Sequence, residues 1–296
     1  MTSLATTASS GPSLRQRLGR ATPYLLLAPG LVYLVIFYVL PSIQMFTYSI
    51  STGSIETGFT LTWSLDAYVQ GLEKFSKQFL NSIIYGGVAT IATLIIGFPV
   101  AYAIAFRGGR YKNLILFLVI APFFTSFLIR TISWKILLGD EGPLLGPLKE
   151  LHLLPAGFSL LGTGFAQASG ITYNFLPFMI LPLYVALEKI DPRLLEAAQD
   201  LYADRRQVFR RVTWPLALPG VFAGSLLTFI PAMGDYVNAE LLGNPSTRMI
   251  GNVIQNRLLI QNDYPTGAAL SFILMAGILI AVVIYARALG TEQLTG

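Results

Sequence analysis

Five stretches of this chain, 21–55, 78–106, 153–187, 212–234 and 264–286, contain no charged side chain. A helix needs about 20 apolar residues to cross the hydrocarbon core of a bilayer, and each stretch is long enough. A sixth run, Asn113 to Leu138, is apolar except for Arg130 and Lys135, and spans if those two lie near its end. Only 12% of residues are charged and 54% are hydrophobic, against about a quarter charged in a soluble domain. The sequence therefore predicts an all-α membrane protein with six transmembrane helices. Its transmembrane domain covers 21–288, between an N-terminal tail of residues 1–20 and a C-terminal tail of residues 289–296.

Lys and Arg set the expected orientation. With the N-terminus in the cytosol, that side holds Arg15, Arg17, Arg20, Arg107, Arg110, Lys112, Lys189, Arg193, Arg205, Arg206, Arg210, Arg211 and Arg287. These are thirteen of the 20 basic residues, so both termini are expected to be cytosolic. The net charge of +5 follows from this bias and gives no support to a nucleic-acid partner. Residues 1–12 are rich in Ser, Thr and Ala and read as disordered. Leu14 to Arg20 suits a basic elbow helix on the inner leaflet, and the apolar run behind it is too long for a cleaved signal peptide.

Several chemistries are excluded. There is no cysteine, and the single histidine, His152, falls in an outer loop, so no catalytic metal cluster can be assembled from His and Cys. No Gly-x-x-x-x-Gly-Lys-Ser/Thr phosphate loop occurs, nor an Asp-x-x-Asp pair within a span. The chain reads as a non-enzyme. It needs no cofactor or metal of its own, and any ATP and Mg must be handled by a partner.

The most informative hydrophilic segment is the insert 188–216, between the fourth and fifth spans. Asp191 and Pro192 are an N-cap and a first helical residue, and no breaker follows up to Leu201. Asp204 can cap a second helix over Arg205 to Val212, which Pro215 and Pro219 should separate from the fifth span. Leu194, Leu195 and Ala198 on the first helix, and Val208, Phe209 and Val212 on the second, form apolar sides. A two-helix hairpin lying on the membrane surface is expected.

Glu196-Ala197-Ala198, followed by Ala203, Phe209 and the segment from Pro215 to Pro219, resembles the EAA loop of the permease subunits of bacterial ABC importers. Ser126 to Trp134, Phe229 to Gly243 and Met249 to Asn252 are similar to the spermidine/putrescine permeases of the PotB type. The resemblance implies a type I importer fold in the bacterial inner membrane, working by alternating access. Its partners would be an ABC ATPase dimer, a second, PotC-like permease, an extracytoplasmic substrate-binding protein and membrane lipids. The 188–216 hairpin would be the coupling loop, with Glu196, Ala197, Ala198, Tyr202, Ala203, Arg205, Arg206 and Phe209 meeting the ATPase, and Arg210 and Arg211 meeting acids or lipid phosphates. One position departs from the pattern: Tyr202 stands where the family has Gly, so either the turn is reshaped or the ring fills a partner groove.

A polyamine pathway calls for carboxylates and aromatic faces. Asp235, Tyr236, Glu240, Trp134, Tyr173 and Phe229 are the pathway candidates. Arg130 and Asp235 each fall about 24 to 27 Å from the cytosolic start of their helices, at about 1.5 Å per residue, so a structural or gating pair competes with a pathway role for Asp235. Gly220 and Gly224 suit close helix packing, within the chain or with the second permease. Pro99, Pro122, Pro177, Pro182 and Pro231 predict kinks within spans. A permease of the same architecture for another amine, thiamine, iron, an amino acid or a phosphorylated compound remains open, as does a membrane scaffold without a pathway.

Overall fold

The computed structural model describes residues 26–155 and 157–289. The expected N-terminal tail and elbow helix lie outside these residues, as do residues 290–296. Among the described residues five helices are long and apolar enough to cross a membrane: Leu26–Ser49, Asp66–Arg107, Gly164–Glu188, Arg205–Met233 and Tyr264–Arg287. A bent pair, Gly109–Phe124 and Phe127–Leu137, counted as one span, is the third of six.

That third span differs most from its sequence expectation, because its halves meet at 94°. Pro122 has no N–H for the ladder, and Ala121–Phe124 tightens into a 3-10 turn. Thr125 and Ser126 are then extended, and the helix restarts at Phe127. The break also invalidates the linear count of depth that placed Arg130 level with Asp235.

The second helix runs on for 42 residues, about 63 Å at 1.5 Å per residue, roughly twice what a bilayer core requires. Its charged first turns, with Glu73, Lys74 and Lys77, project beyond the apolar stretch, and Phe75 leaves helical geometry at that boundary. Two of the wider π-helical turns, Val35–Val39 and Phe209–Thr213, lie just before Pro41 and Pro215. A wider turn lets the helix pass a residue that cannot donate to the carbonyl four positions back.

Spans 2, 4 and 5 pack on one another most extensively, and span 1 reaches the bundle mainly through span 6. The largest core cluster lies at the end of the bundle that carries the 188–216 insert. It joins Phe98, Ala101 and Ile104 of span 2, Met179, Ile180, Leu183 and Leu187 of span 4, and Ala217 and Val221 of span 5. Gly220 and Gly224 permit this approach, since a Cβ on Gly220 would lie 2.6 Å from the Ala186 Cβ and one on Gly224 2.8 Å from the Met179 sulfur. Both glycines thus serve packing within the chain.

The opposite end holds most of the remaining structure. Strands β1 (Ser51–Ser54) and β2 (Gly58–Leu61) form an antiparallel hairpin between spans 1 and 2. A short helix, Leu145–Glu150, follows span 3. Between spans 5 and 6 the chain forms two more short helices, Val237–Leu242 and Ile250–Gln255, the second running into a π turn over Asn256–Ile260.

Candidate functional site

Two regions bring polar side chains together in patterns that packing alone does not require. The first is the insert. Asp191 caps the helix Pro192–Asp200 by accepting from the Arg193 N–H at 2.9 Å. That helix ends in a Schellman arrangement: the Tyr202 N–H donates to Gln199 O at 2.9 Å, and the Ala203 N–H to Ala198 O at 3.1 Å. Such an ending needs a left-handed residue at the turn, and Tyr202 takes that role with φ +61°. The turn is therefore kept and not reshaped. The Tyr202 ring is 98% exposed.

Asp204 then opens the next helix with a capping box: its carboxylate accepts from the Gln207 N–H at 2.7 Å, while the Gln207 side chain accepts from the Asp204 N–H at 3.2 Å. This helix does not stop before span 5, as the prolines predicted, but continues into it through the π turn over Phe209–Thr213. The insert is thus one short helix, a tight turn, and an N-terminal extension of the span 5 helix.

Its two sides differ. Leu195 packs against the main core cluster, and Phe209, expected to face a partner, sets its ring edge-on against Phe98 of span 2, 5.6 Å away. The ring thus packs one edge on the bundle while Phe209 as a whole stays 37% exposed. Glu196, Ala197, Arg205, Arg206, Arg210 and Arg211 are exposed, and Ala198 and Ala203 are half-buried. Among the described residues the ion pairs are Lys112–Glu188, Lys149–Asp140 and Arg257–Asp263, so neither Glu196 nor any of the four arginines is paired. Lys112 also lies over the Tyr184 ring at 5.2 Å, tying the start of span 3 to the end of span 4 beside the insert.

The second region follows span 5. Asp235 is only 6% exposed, and its carboxylate accepts from the backbone N–H of Asn238 at 3.0 Å and from the Asn238 side chain at 2.5 Å. Asn238 accepts in turn from the Asn174 amide at 3.2 Å, and the same amide donates to the Thr131 hydroxyl at 3.0 Å. A buried chain of polar groups thus links span 3, span 4 and the segment after span 5. Asn252 extends the order: its amide donates to Tyr236 O at 2.9 Å and to the Glu240 carboxylate at 3.3 Å.

The expected pair of Arg130 and Asp235 is not formed. Asp235 takes its hydrogen bonds from Asn238, while Arg130 lies on the rings of Phe123 and Phe127, because the bend carries it away from the line on which the two depths were compared. The remaining pathway candidates fall into three places. Trp134 and Tyr173 are neighbours, with ring centroids 5.5 Å apart. Tyr236 and Glu240 are exposed, one turn apart, and joined through Asn252. Phe229 lines a separate apolar groove of about 370 Å³ between spans 2, 5 and 6.

Sequence reasoning gave no role to Asn174 or the fully buried Gln167, and it quoted Thr131, Asn238 and Asn252 only as parts of the stretches that carry the family resemblance. Gln167 and Asn174 carried a signal of their own, as amides inside the largely apolar fourth span.

A family model described as the binding-protein-dependent transport system inner membrane component matches residues 94–289. The spermidine/putrescine transport system permease protein PotB of Haemophilus influenzae is 38% identical over 257 residues, 86% of this chain and 90% of that protein. PotB of Escherichia coli K12 is 37% identical over the same share of this chain and 94% of its own length. A solved bacterial ABC transporter involved in the import of the acidic polysaccharide alginate superposes with a TM-score of 0.75, at 19% identity, over 93% of this chain and 98% of its own, which establishes a shared type I permease fold. The chain belongs to the family of binding-protein-dependent transport system inner membrane components.

Proposed function

We propose that this chain is the transmembrane permease subunit of an ATP-driven polyamine importer. The observation that carries the reading is the 38% identity to a spermidine/putrescine permease over 86% of the chain. A match of that extent covers most of the chain and 90% of that permease. In this reading both termini face the cytosol, and the insert 188–216 meets an ABC ATPase dimer. The outer hairpin and helices face a substrate-binding protein, and a second permease completes the pathway. ATP and Mg are bound by the ATPase.

The exposed face of the insert suits docking. Glu196 and the arginines have unpaired charges to offer, and Tyr202 presents a whole ring. Leu195 and Ile190 join the insert to the core cluster shared by spans 2, 4 and 5. A push on the helix Pro192–Asp200 therefore reaches three spans as one body, since close-packed cores transmit displacement instead of absorbing it. Tyr236 and Glu240 supply a ring and a carboxylate at the outer end of span 5, the combination that an alkyl polycation requires.

The test is uptake of radiolabelled spermidine by liposomes carrying the assembled complex of this chain, its second permease and the ATPase, with the binding protein supplied outside. ATP-dependent accumulation of spermidine or putrescine is the expected result. Uptake of neither, with ATP hydrolysis intact, would overturn the substrate assignment and leave the permease assignment standing.

A further inference from the structure

Arg130 is a cation without an anion. It is 8% exposed, its Nε makes no hydrogen bond, and it takes part in none of the ion pairs among the described residues. What surrounds the guanidinium is aromatic: the Phe123 centroid lies 4.8 Å away and the Phe127 centroid 5.7 Å. Both fall within the roughly 6 Å over which a ring quadrupole attracts a cation. The two rings come from opposite sides of the 94° break, Phe123 before Thr125 and Phe127 after Ser126, so the guanidinium of Arg130 bridges the two halves of the span.

Further rings stand behind these. Phe123 meets Phe178 edge to face at 5.0 Å, and Phe127 lies 6.1 Å from Phe175. Phe178 in turn lines a groove of about 790 Å³ that runs between spans 4 and 5 to Lys189 and Asp191 at the insert. The ring cluster thus adjoins, through Phe178, a groove that reaches the insert.

The attraction of a ring face for a cation depends on charge and not on a particular set of donors, so rings that hold a guanidinium will also hold an alkylammonium. We propose that Phe123 and Phe127 form an alkylammonium-binding site, that Arg130 fills it as a tethered occupant in this conformation, and that a cationic substrate enters by exchanging one ammonium group for that guanidinium. The exchange rests on the polyamine reading; the ring site and its occupant do not. This accounts for a positive residue beside the expected route of a polycation: Arg130 holds the site until a second cation offsets the loss of its own ring contacts. Release of Arg130 also removes its non-covalent contact with Phe123 on the other side of the break, one tie between the two halves of span 3.

The full chain, purified in detergent, can be unfolded by heat in the presence of methylguanidinium or butylammonium, with neutral butylurea as control. Arg130→Ala should melt below wild type and regain several degrees with either cation at millimolar concentration, while wild type scarcely responds. Butylurea should do nothing, and Arg130→Ala combined with Phe123→Leu should lose the response. Equal responses of wild type and Arg130→Ala, a response that survives Phe123→Leu, or rescue by butylurea would overturn the site. If Arg130→Ala does not accumulate, the wild-type chain decides. Phenylglyoxal modification of Arg130, followed by mass spectrometry, should accelerate several-fold when spermidine is added, and an unchanged or slower rate would overturn the exchange. Absence of polyamine uptake by the wild-type complex, with the methylguanidinium response intact, would count against the polyamine reading alone.

Discussion

The insert between spans 4 and 5 and the polar segment after span 5 are both rich in hydrogen-bonding side chains, yet they use them in opposite ways. In the insert, carboxylates cap their own helices two or three residues away, and beyond the Lys112–Glu188 pair at its start the charges of Glu196 and the four arginines stay in solvent without partners among the described residues. After span 5, Asp235, Asn238, Asn174 and Thr131 are buried and hydrogen-bond one another across elements up to 64 residues apart in the chain, with the Asn174 amide oxygen left unpartnered. An exposed charge keeps its hydration and can be given to a partner at little cost, whereas a buried polar group must be matched inside the fold or destabilise it. The contrast supports the proposal that the insert serves recognition and the buried chain positioning.

The largest effect should come from the buried side. Asp235→Ala leaves two Asn238 donors without an acceptor and should cost about 2 to 3 kcal/mol, seen as a lower melting temperature of the purified chain. A loss below about 0.5 kcal/mol would show that the network is not structural. Glu196→Arg should do the reverse. Stability should move by less than about 0.5 kcal/mol for an exposed, unpaired residue, while copurification of the ATPase or coupling of its hydrolysis falls by about tenfold. Normal transport by this variant would remove Glu196 from the docking surface.

Tyr202 tests the same contrast at a smaller scale. Its backbone is left-handed, which costs a residue with a Cβ about 1 to 2 kcal/mol, so Tyr202→Gly should raise the unfolding midpoint and weaken ATPase binding at once. A variant that gains stability and loses no coupling would mean that the exposed ring has no partner. The smallest effect expected is a double-mutant cycle of Arg130→Gln and Asp235→Asn. With no contact between the two residues, their changes should add to within about 0.3 to 0.5 kcal/mol, and a larger coupling energy would restore the ion pair that the structure does not contain.

Much of the insert was legible in advance because its determinants are local. Asp191, Pro192 and Asp204 act within three residues of themselves, so the caps can be read from spacing alone. The continuation through Pro215 was not legible, since nothing in the pattern distinguishes a helix that stops at a proline from one that widens into a π turn to pass it. The buried chain was mostly illegible. Asp235 drew notice as a charge in an apolar context, but its partner was sought by depth along straight helices, and a 94° bend in span 3 defeats that geometry.

The sequence by itself determined the solvent, the number of crossings and the local caps, because hydrophobic length and side-chain to backbone hydrogen bonds depend only on neighbours along the chain. Tertiary structure alone decided the rest. The close approach of Gly220 and Gly224 to span 4, the placing of Arg130 on two rings, and the pairing of Asp235 with Asn238 each depend on which surfaces meet after the chain has bent. A buried polar group takes the nearest partner that packing offers, and packing is a property of the whole bundle.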